Sequence, residues 1–246
     1  MKKTILWILA CSFIFVVPAI SMASDSLNEA DEYFSKGKIE DYKKAIELYL
    51  TALKKNPESY EINWKLARAY RWYGEESKRQ GIDGWKEICA KYGKIGMKYG
   101  EKAISLNPDG VEGHYFYGLN VGIYSDGVSI VTALREGLKG KTQSSFEKAY
   151  ELDKTYSTSG PTVALGRFWF VLPWPLNDKK KAHKYLREAN KAEPDNIDGR
   201  LYLGELLMDL GGKKNKAEAR ALLKSVAESD IRYYRDKANA LLSEMD

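Results

Sequence analysis

The sequence predicts an all-α protein, a solenoid of about five stacked helix pairs with insertions, closed by a C-terminal capping helix. Three observations predict it. A four-position packing pattern recurs four times at fixed internal spacing. A three-residue pattern recurs between those matches, and Pro-containing turns separate the two. No stretch alternates in the manner of a β-hairpin, and no linker divides the chain.

The N-terminal segment stands outside this pattern. Lys2 and Lys3 precede an apolar run from Ile5 to Val17, then Pro18 and the small-residue stretch Ser21-Met22-Ala23. That order is a secretory signal peptide over residues 1–23, with the cut expected between Ala23 and Ser24. The run is shorter than the ~20 residues of a membrane span, and Pro18 interrupts it. The apolar run continues past Cys11 through Phe13 to Val17. Cys11 therefore reads as part of that run rather than as a site of lipid anchoring. The paired lysines and short leader are of bacterial type, so a periplasmic location is expected.

Residues 24–246 then form the helical repeat domain, long enough for a sizeable core. Loss of Lys2 and Lys3 lowers the formal charge from +5 to +3. So mild an excess argues against nucleic acid as a partner. Cys89 is the one cysteine left, so no internal disulfide is available and stability must come from packing. Cys89 reads as a small buried apolar residue.

The four-position pattern places a small residue, a large one four on, a small one three later, and Pro five after that. Ala45, Tyr49, Ala52 and Pro57 fit it. Gly96, Gly100, Ala103 and Pro108 keep the spacing with glycine for the aromatic, and Thr142, Phe146, Ala149 and Lys154 keep it with Lys for Pro. Ala182, Leu186, Ala189 and Pro194 match again. Residues three, four and seven apart share one helix face, where small side chains admit a neighbouring helix. The proline then ends the helix because it cannot donate the next backbone bond.

After each stop a first-helix pattern begins, with the trios Leu66-Ala67-Tyr70, Tyr117-Gly118-Val121, Leu165-Gly166-Trp169 and Leu203-Gly204-Leu207. This large–small–large core resembles the tetratricopeptide repeat family over roughly residues 27–226. The starts of successive second helices lie 51, 46 and 40 residues apart, from Ala45 to Gly96, Thr142 and Ala182. The family period is about 34 residues. Insertions are therefore expected around Gly74–Ile88, lengthening both helices of that pair, and around Ser125–Lys141, including a short amphipathic stretch from Val128 to Leu138. Lys214–Glu228 reads as the last repeat helix. Ile231–Met245 reads as the cap that a repeat array needs over its exposed apolar end.

The inventory for catalysis is thin. His114, His183 and Cys89 do not stand at metal-ligand spacing, and no glycine-rich phosphate loop is followed by Lys. The carboxylates are spread over solvated helix faces. The expectation is a non-catalytic protein without cofactor or metal. Binding is the better prospect, because first helices line the concave face of a stacked array. In the resembled family the groove-facing side chains lie just off the core trio. That offset selects Trp64, Arg68, Arg71, Tyr115, Leu119, Arg167, Phe170, Leu201, Glu205 and Met208. An aromatic face with three arginines suits an apolar ligand with an anionic end, or a peptide carboxylate.

One segment is unusually apolar and proline-closed, GPTVALGRFWFVLPWP over residues 160–175, with Asn177 or Asp178 placed to cap the next helix. It resembles the T-component family of TRAP transporters, tetratricopeptide proteins of the periplasm. The Glu-Pro-Asp-Asn turn and Leu-Tyr-Leu-Gly-Glu-Leu helix within Ala189–Leu206 agree with it. That resemblance implies an oligomeric protein with ligand-binding cavities, partnered by a periplasmic substrate-binding protein of an organic-acid importer. Many members are lipid-anchored, whereas this chain offers only Cys11. The Gly-Arg-aromatic element is also similar to the eukaryotic regulators of microtubule dynamics, a role that the leader argues against. Independently of either family, the same groove fits an envelope-assembly or chaperone scaffold that binds peptides.

Overall fold

The computed structural model describes residues 18–245, and within them twelve α-helices and no strand. The charged start and apolar run of the expected leader, with Cys11, lie outside the described residues. The expected cut between Ala23 and Ser24 falls within α1 (Pro18–Lys36).

The helices pair as the spacing predicts. The first pair is α1 with α2 (Ile39–Lys55), and the second is α3 (Tyr60–Arg79) with α4 (Trp85–Leu106). In the third pair, α5 (Val111–Gly127) packs on α7 (Leu138–Asp153), with the short α6 (Ile130–Arg135) inserted between them. Next come α8 (Tyr156–Val171) with α9 (Lys179–Ala192), then α10 (Ile197–Leu210) with α11 (Lys213–Ala227). The cap α12 (Arg232–Ser243) closes the series against α11.

Local chemistry sets the boundaries. Asn56, Asn107 and Glu193 end α2, α4 and α9, each just before a proline that cannot continue the helix. Side chains cap four starts: Ser59 Oγ accepts from Ile62 N at 3.2 Å, Ser129 Oγ from Thr132 N at 3.2 Å, Asp178 Oδ1 from Lys181 N at 2.9 Å, and Asn196 Oδ1 from Gly199 N at 2.8 Å. Each bond satisfies an amide that the first turn would otherwise leave bare.

The small–large code does its packing between paired helices. The side chains of Tyr49, Leu66, Leu165, Leu186, Leu203 and Leu207 are fully buried. A Cβ at Gly166 would stand 2.5 Å from Leu186 Cγ, so the trio's glycine is the socket for the partner helix's large residue. Gly100, where the pattern lacks its aromatic, has a different role. A Cβ there would lie 2.9 Å from Tyr117 Cα, so α4 and α5 meet backbone to backbone. Asn120 is buried in the same contact and donates from Nδ2 to Ala67 O at 2.8 Å, tying α5 back to α3.

Two features shape the array. The Gly74–Ile88 insertion does lengthen its pair, giving α3 20 residues and α4 22. And α8 is not regular throughout. Ser157, Thr158 and Ser159 have φ of 50, 55 and 63°, left-handed backbone that costs side-chain-bearing residues about 1–2 kcal/mol each. The regular helix starts at Gly160, as the sequence predicts. The distorted turn is held by Asn196 Nδ2 donating to Thr158 O at 2.7 Å and Thr162 Oγ1 donating to Lys154 O at 2.8 Å.

Candidate functional site

The first helices of the five pairs face inward and, with α12, enclose a cavity of about 970 Å³. The lengthened α3 supplies one wall with Arg68, Arg71, Trp72, Glu75, Lys78 and Arg79, spaced three and four apart along one face. Tyr115, Phe116, Leu119 and Ile123 of α5 follow, then Val163, Arg167, Phe168 and Val171 of α8. Asp198 and Tyr202 of α10 and Tyr233 and Lys237 of α12 complete the circuit.

The α3 wall is cationic and tightly organised. Glu75 lies between Arg71, whose Nη1 is 3.2 Å from Oε2, and Arg79, whose Nε donates to Oε1 at 3.0 Å. Burial pushes the Glu75 carboxyl up, and the guanidiniums of Arg71 and Arg79 outweigh that and hold it below the usual carboxylate value. Arg68 is layered over the Phe34 ring at 3.8 Å and lies 5.0 Å from the Trp64 ring. Its Nη2 donates to Asp31 Oδ1 at 3.2 Å and to the Tyr49 hydroxyl at 3.1 Å. Arg68 Nε and Arg71 Nη1 are buried and make no hydrogen bond within the protein. Around the whole cavity seven basic side chains face three carboxylates, Glu75, Asp126 and Asp198. The inner surface therefore favours negative charge.

Phenols dominate the remaining polar surface. Burial raises the hydroxyls of Tyr115, Tyr202 and Tyr233 above the ordinary value and pushes Tyr156 up to about 12. They stay neutral donors at physiological pH. Cys89 is buried away from the cavity lining, and burial pushes its thiol up to about 11, which disfavours the nucleophilic thiolate. Among the described residues no group of three or more His, Cys, Asp and Glu is placed to hold a metal ion, and no helix is long and apolar enough to cross a membrane.

Of the ten groove residues expected from the sequence, Arg68, Arg71, Tyr115, Leu119 and Arg167 line the cavity together. Trp64 stands behind the wall, stacked on Phe116 with ring centroids 5.9 Å apart. Phe170 and Met208 pack against the core of the fourth and fifth pairs. Glu205 accepts from Arg167 Nη1 at 2.7 Å and so orients that arginine. Leu201 is a correction: it is fully buried among Tyr234, Ala238 and Leu241, because α12 covers the face of α10 that earlier first helices leave open. The offset from the trio Leu66-Ala67-Tyr70 does not reach Trp72, Glu75, Lys78 and Arg79, which lie towards the lengthened end of α3. Continuing the three-and-four step through the insertion would have found them.

Arg79 also closes the array. Its Nη2 donates to the Tyr234 hydroxyl of α12 at 3.1 Å, its guanidinium lies 4.7 Å from the Tyr233 ring, and Tyr234 donates to Asp198 Oδ1 at 3.0 Å. The second pair thus meets the cap, and the concave face becomes the inside of a closed curl.

This arrangement defines a tetratricopeptide-like helical repeat protein with a central cationic and aromatic cavity. The sequence profile described as "RMD1-3: Regulator of microtubule dynamics protein 1-3" matches residues 26–172, and the chain belongs to that family. Comparison with curated proteins gives no match. Among solved structures, TTC0263, a thermophilic tetratricopeptide protein of Thermus thermophilus, is similar at 18% identity and a TM-score of 0.64, covering 90% of this chain and 99% of its own. That likeness is one of fold. The MamA protein is also similar, at 16% identity and a TM-score of 0.48, covering 91% of this chain and 93% of its own.

Proposed function

We propose that this protein is an exported, non-catalytic scaffold that binds a small organic anion with an apolar body in its central cavity. The observation that carries the reading is the Arg71 guanidinium on the cavity wall. Its buried Nη1 is ion-paired with Glu75 at 3.2 Å but makes no hydrogen bond, and the nearby Arg68 Nε is buried without one as well. A carboxylate offered to those donors makes charge-assisted bonds, the strong kind. The volume is that of a small-molecule site, and the apolar side chains of α5 and α8 face the arginines across it. The T-component resemblance gives such a ligand a setting, as cargo of a periplasmic organic-acid importer with which this protein associates. From its own family the reading takes the helical array and leaves aside the microtubule, which an exported chain does not meet.

A protein partner is the second reading, favoured by the first helices lining the concave face. There an acidic side chain or chain terminus of an envelope protein occupies the arginines.

Native mass spectrometry of the purified protein tests both. Retention of a small anion, lost in Arg71→Leu, supports the first reading. An empty cavity together with Arg71-dependent capture of acidic peptides supports the second. Neither small molecule nor peptide bound by the wild type overturns the proposal.

A further inference from the structure

Among the described residues, four of the seven exposed large apolar side chains lie in two segments. Trp174 is 85% exposed in the turn between α8 and α9, and Val171 at the end of α8 is 54% exposed. The inserted α6 presents Val131 and Leu134, 59% and 56% exposed. Leu134, Val171 and Pro173 all line the cavity, and Lys139 and Lys181 approach the same Trp169 ring, so the starts of α7 and α9 beside these segments converge there. Single exposed apolar residues are ordinary, whereas several gathered in two converging segments, one with a tryptophan 85% exposed, mark an interaction surface.

Charge says what covers it. Lys139 and Lys181 stand at 5.4 and 4.1 Å from the Trp169 ring, and Lys180 is exposed beside them. Arg135 is exposed next to Leu134 on α6. The neighbouring carboxylates are engaged within the fold: Asp178 caps α9, Asp209 pairs with Lys179 at 2.5 Å, and Glu136 accepts from the Tyr124 hydroxyl at 3.1 Å. The patch therefore offers an aromatic and aliphatic centre with four cations around it, of which Lys139 also donates to Gln143 Oε1 at 3.3 Å. Tryptophan settles at the boundary of headgroups and acyl chains, and lysines and arginines gain from an anionic lipid surface. We infer that the α6 segment and the Pro173-Trp174-Pro175 turn form a docking surface for an anionic membrane leaflet, with Trp174 entering the interface and Arg135, Lys139, Lys180 and Lys181 on the headgroups.

The full chain is mixed with vesicles of phosphatidylcholine, with and without about 30% phosphatidylglycerol. The anionic set is repeated with bromine on the acyl chains. Bromine quenches a tryptophan that reaches the acyl chains, and comparison with Trp174→Phe isolates that residue from the other tryptophans. The expected result is a quenched component on anionic vesicles that is missing in Trp174→Phe. Affinity should fall roughly tenfold in Trp174→Ser. It should fall by more than tenfold in the double variant Lys180→Glu, Lys181→Glu, at about fivefold for each cation lost. All these side chains are exposed, so circular dichroism should be unchanged. Equal quenching in wild type and Trp174→Phe, or affinity unchanged by the charge reversal, overturns the inference. Loss of a cross-linked protein partner in Trp174→Ser without any vesicle binding also overturns it, and assigns the patch to that protein.

Discussion

Arg79, at the end of α3, donates to the Tyr234 hydroxyl of α12 across 155 residues of sequence. Successive repeats contact their neighbours in any solenoid, but this bond spans the second pair and the cap. It relies on an insertion that carries α3 past Trp72, and on a tyrosine that also holds Asp198. Replacing Tyr234 with Phe keeps the ring and removes both hydrogen bonds. The expected loss is about 1–3 kcal/mol, measured by urea denaturation, because two polar groups lose a buried partner. Hydrogen exchange should quicken in α12 while α2 stays unchanged.

The same wall gives a pH dependence. The folded-state carboxyl of Glu75 sits below its ordinary value, held there by Arg71 and Arg79 against the opposing effect of burial. A depressed acid contributes stability that is fully present above its unfolded value of about 4.3 and fades as pH falls through the lower folded value. The stability gap between wild type and Glu75→Gln should therefore be widest near neutrality and narrow progressively below about pH 4. A gap that does not change with pH would remove the ion-pair account.

The close approach of α4 to α5 predicts an intolerance at Gly100. An alanine Cβ would meet Tyr117 backbone, which cannot rotate aside. Gly100→Ala should destabilise by about 1–3 kcal/mol, although alanine is the better helix former by ~1 kcal/mol. A thermal melt that rises instead would show that α5 shifts at little cost.

Opposite in sign is the expectation for Thr158, an exposed residue in left-handed backbone. Thr158→Gly keeps the carbonyl that Asn196 binds and relieves the steric cost. Stability should rise by up to about 1 kcal/mol, less whatever the unfolded chain gains in freedom. Asn196→Ala in the wild-type background should lower it.

Most of the fold was legible because packing repeats a short code. Leu66-Ala67-Tyr70 and its three counterparts located the first helices, and Ala45-Tyr49-Ala52 and its counterparts located the second ones. Proline or capping residues set the ends. The site was less legible, for two physical reasons. An offset from a trio gives the face of one helix, while curvature and the cap decide what that face meets. Hence the same step reached open cavity at Arg68 and solid core at Leu201. Insertions also carry no repeat signature, so Glu75, Lys78 and Arg79 could be found only by following the helix through them. The left-handed turn at Ser157–Ser159 has no local signal, since glycine would be the residue expected there.

A closed curl has a consequence for how such a chain changes over generations. An open solenoid tolerates the gain or loss of a unit, since each unit needs only its neighbours. Here Arg79 must find Tyr234 after three intervening helix pairs, so a duplication or deletion between them would carry the cap away from α3 and leave the cavity without its last wall. The number of repeats is thus fixed by a hydrogen bond, and variation in this protein is channelled into the lengths of helices and loops.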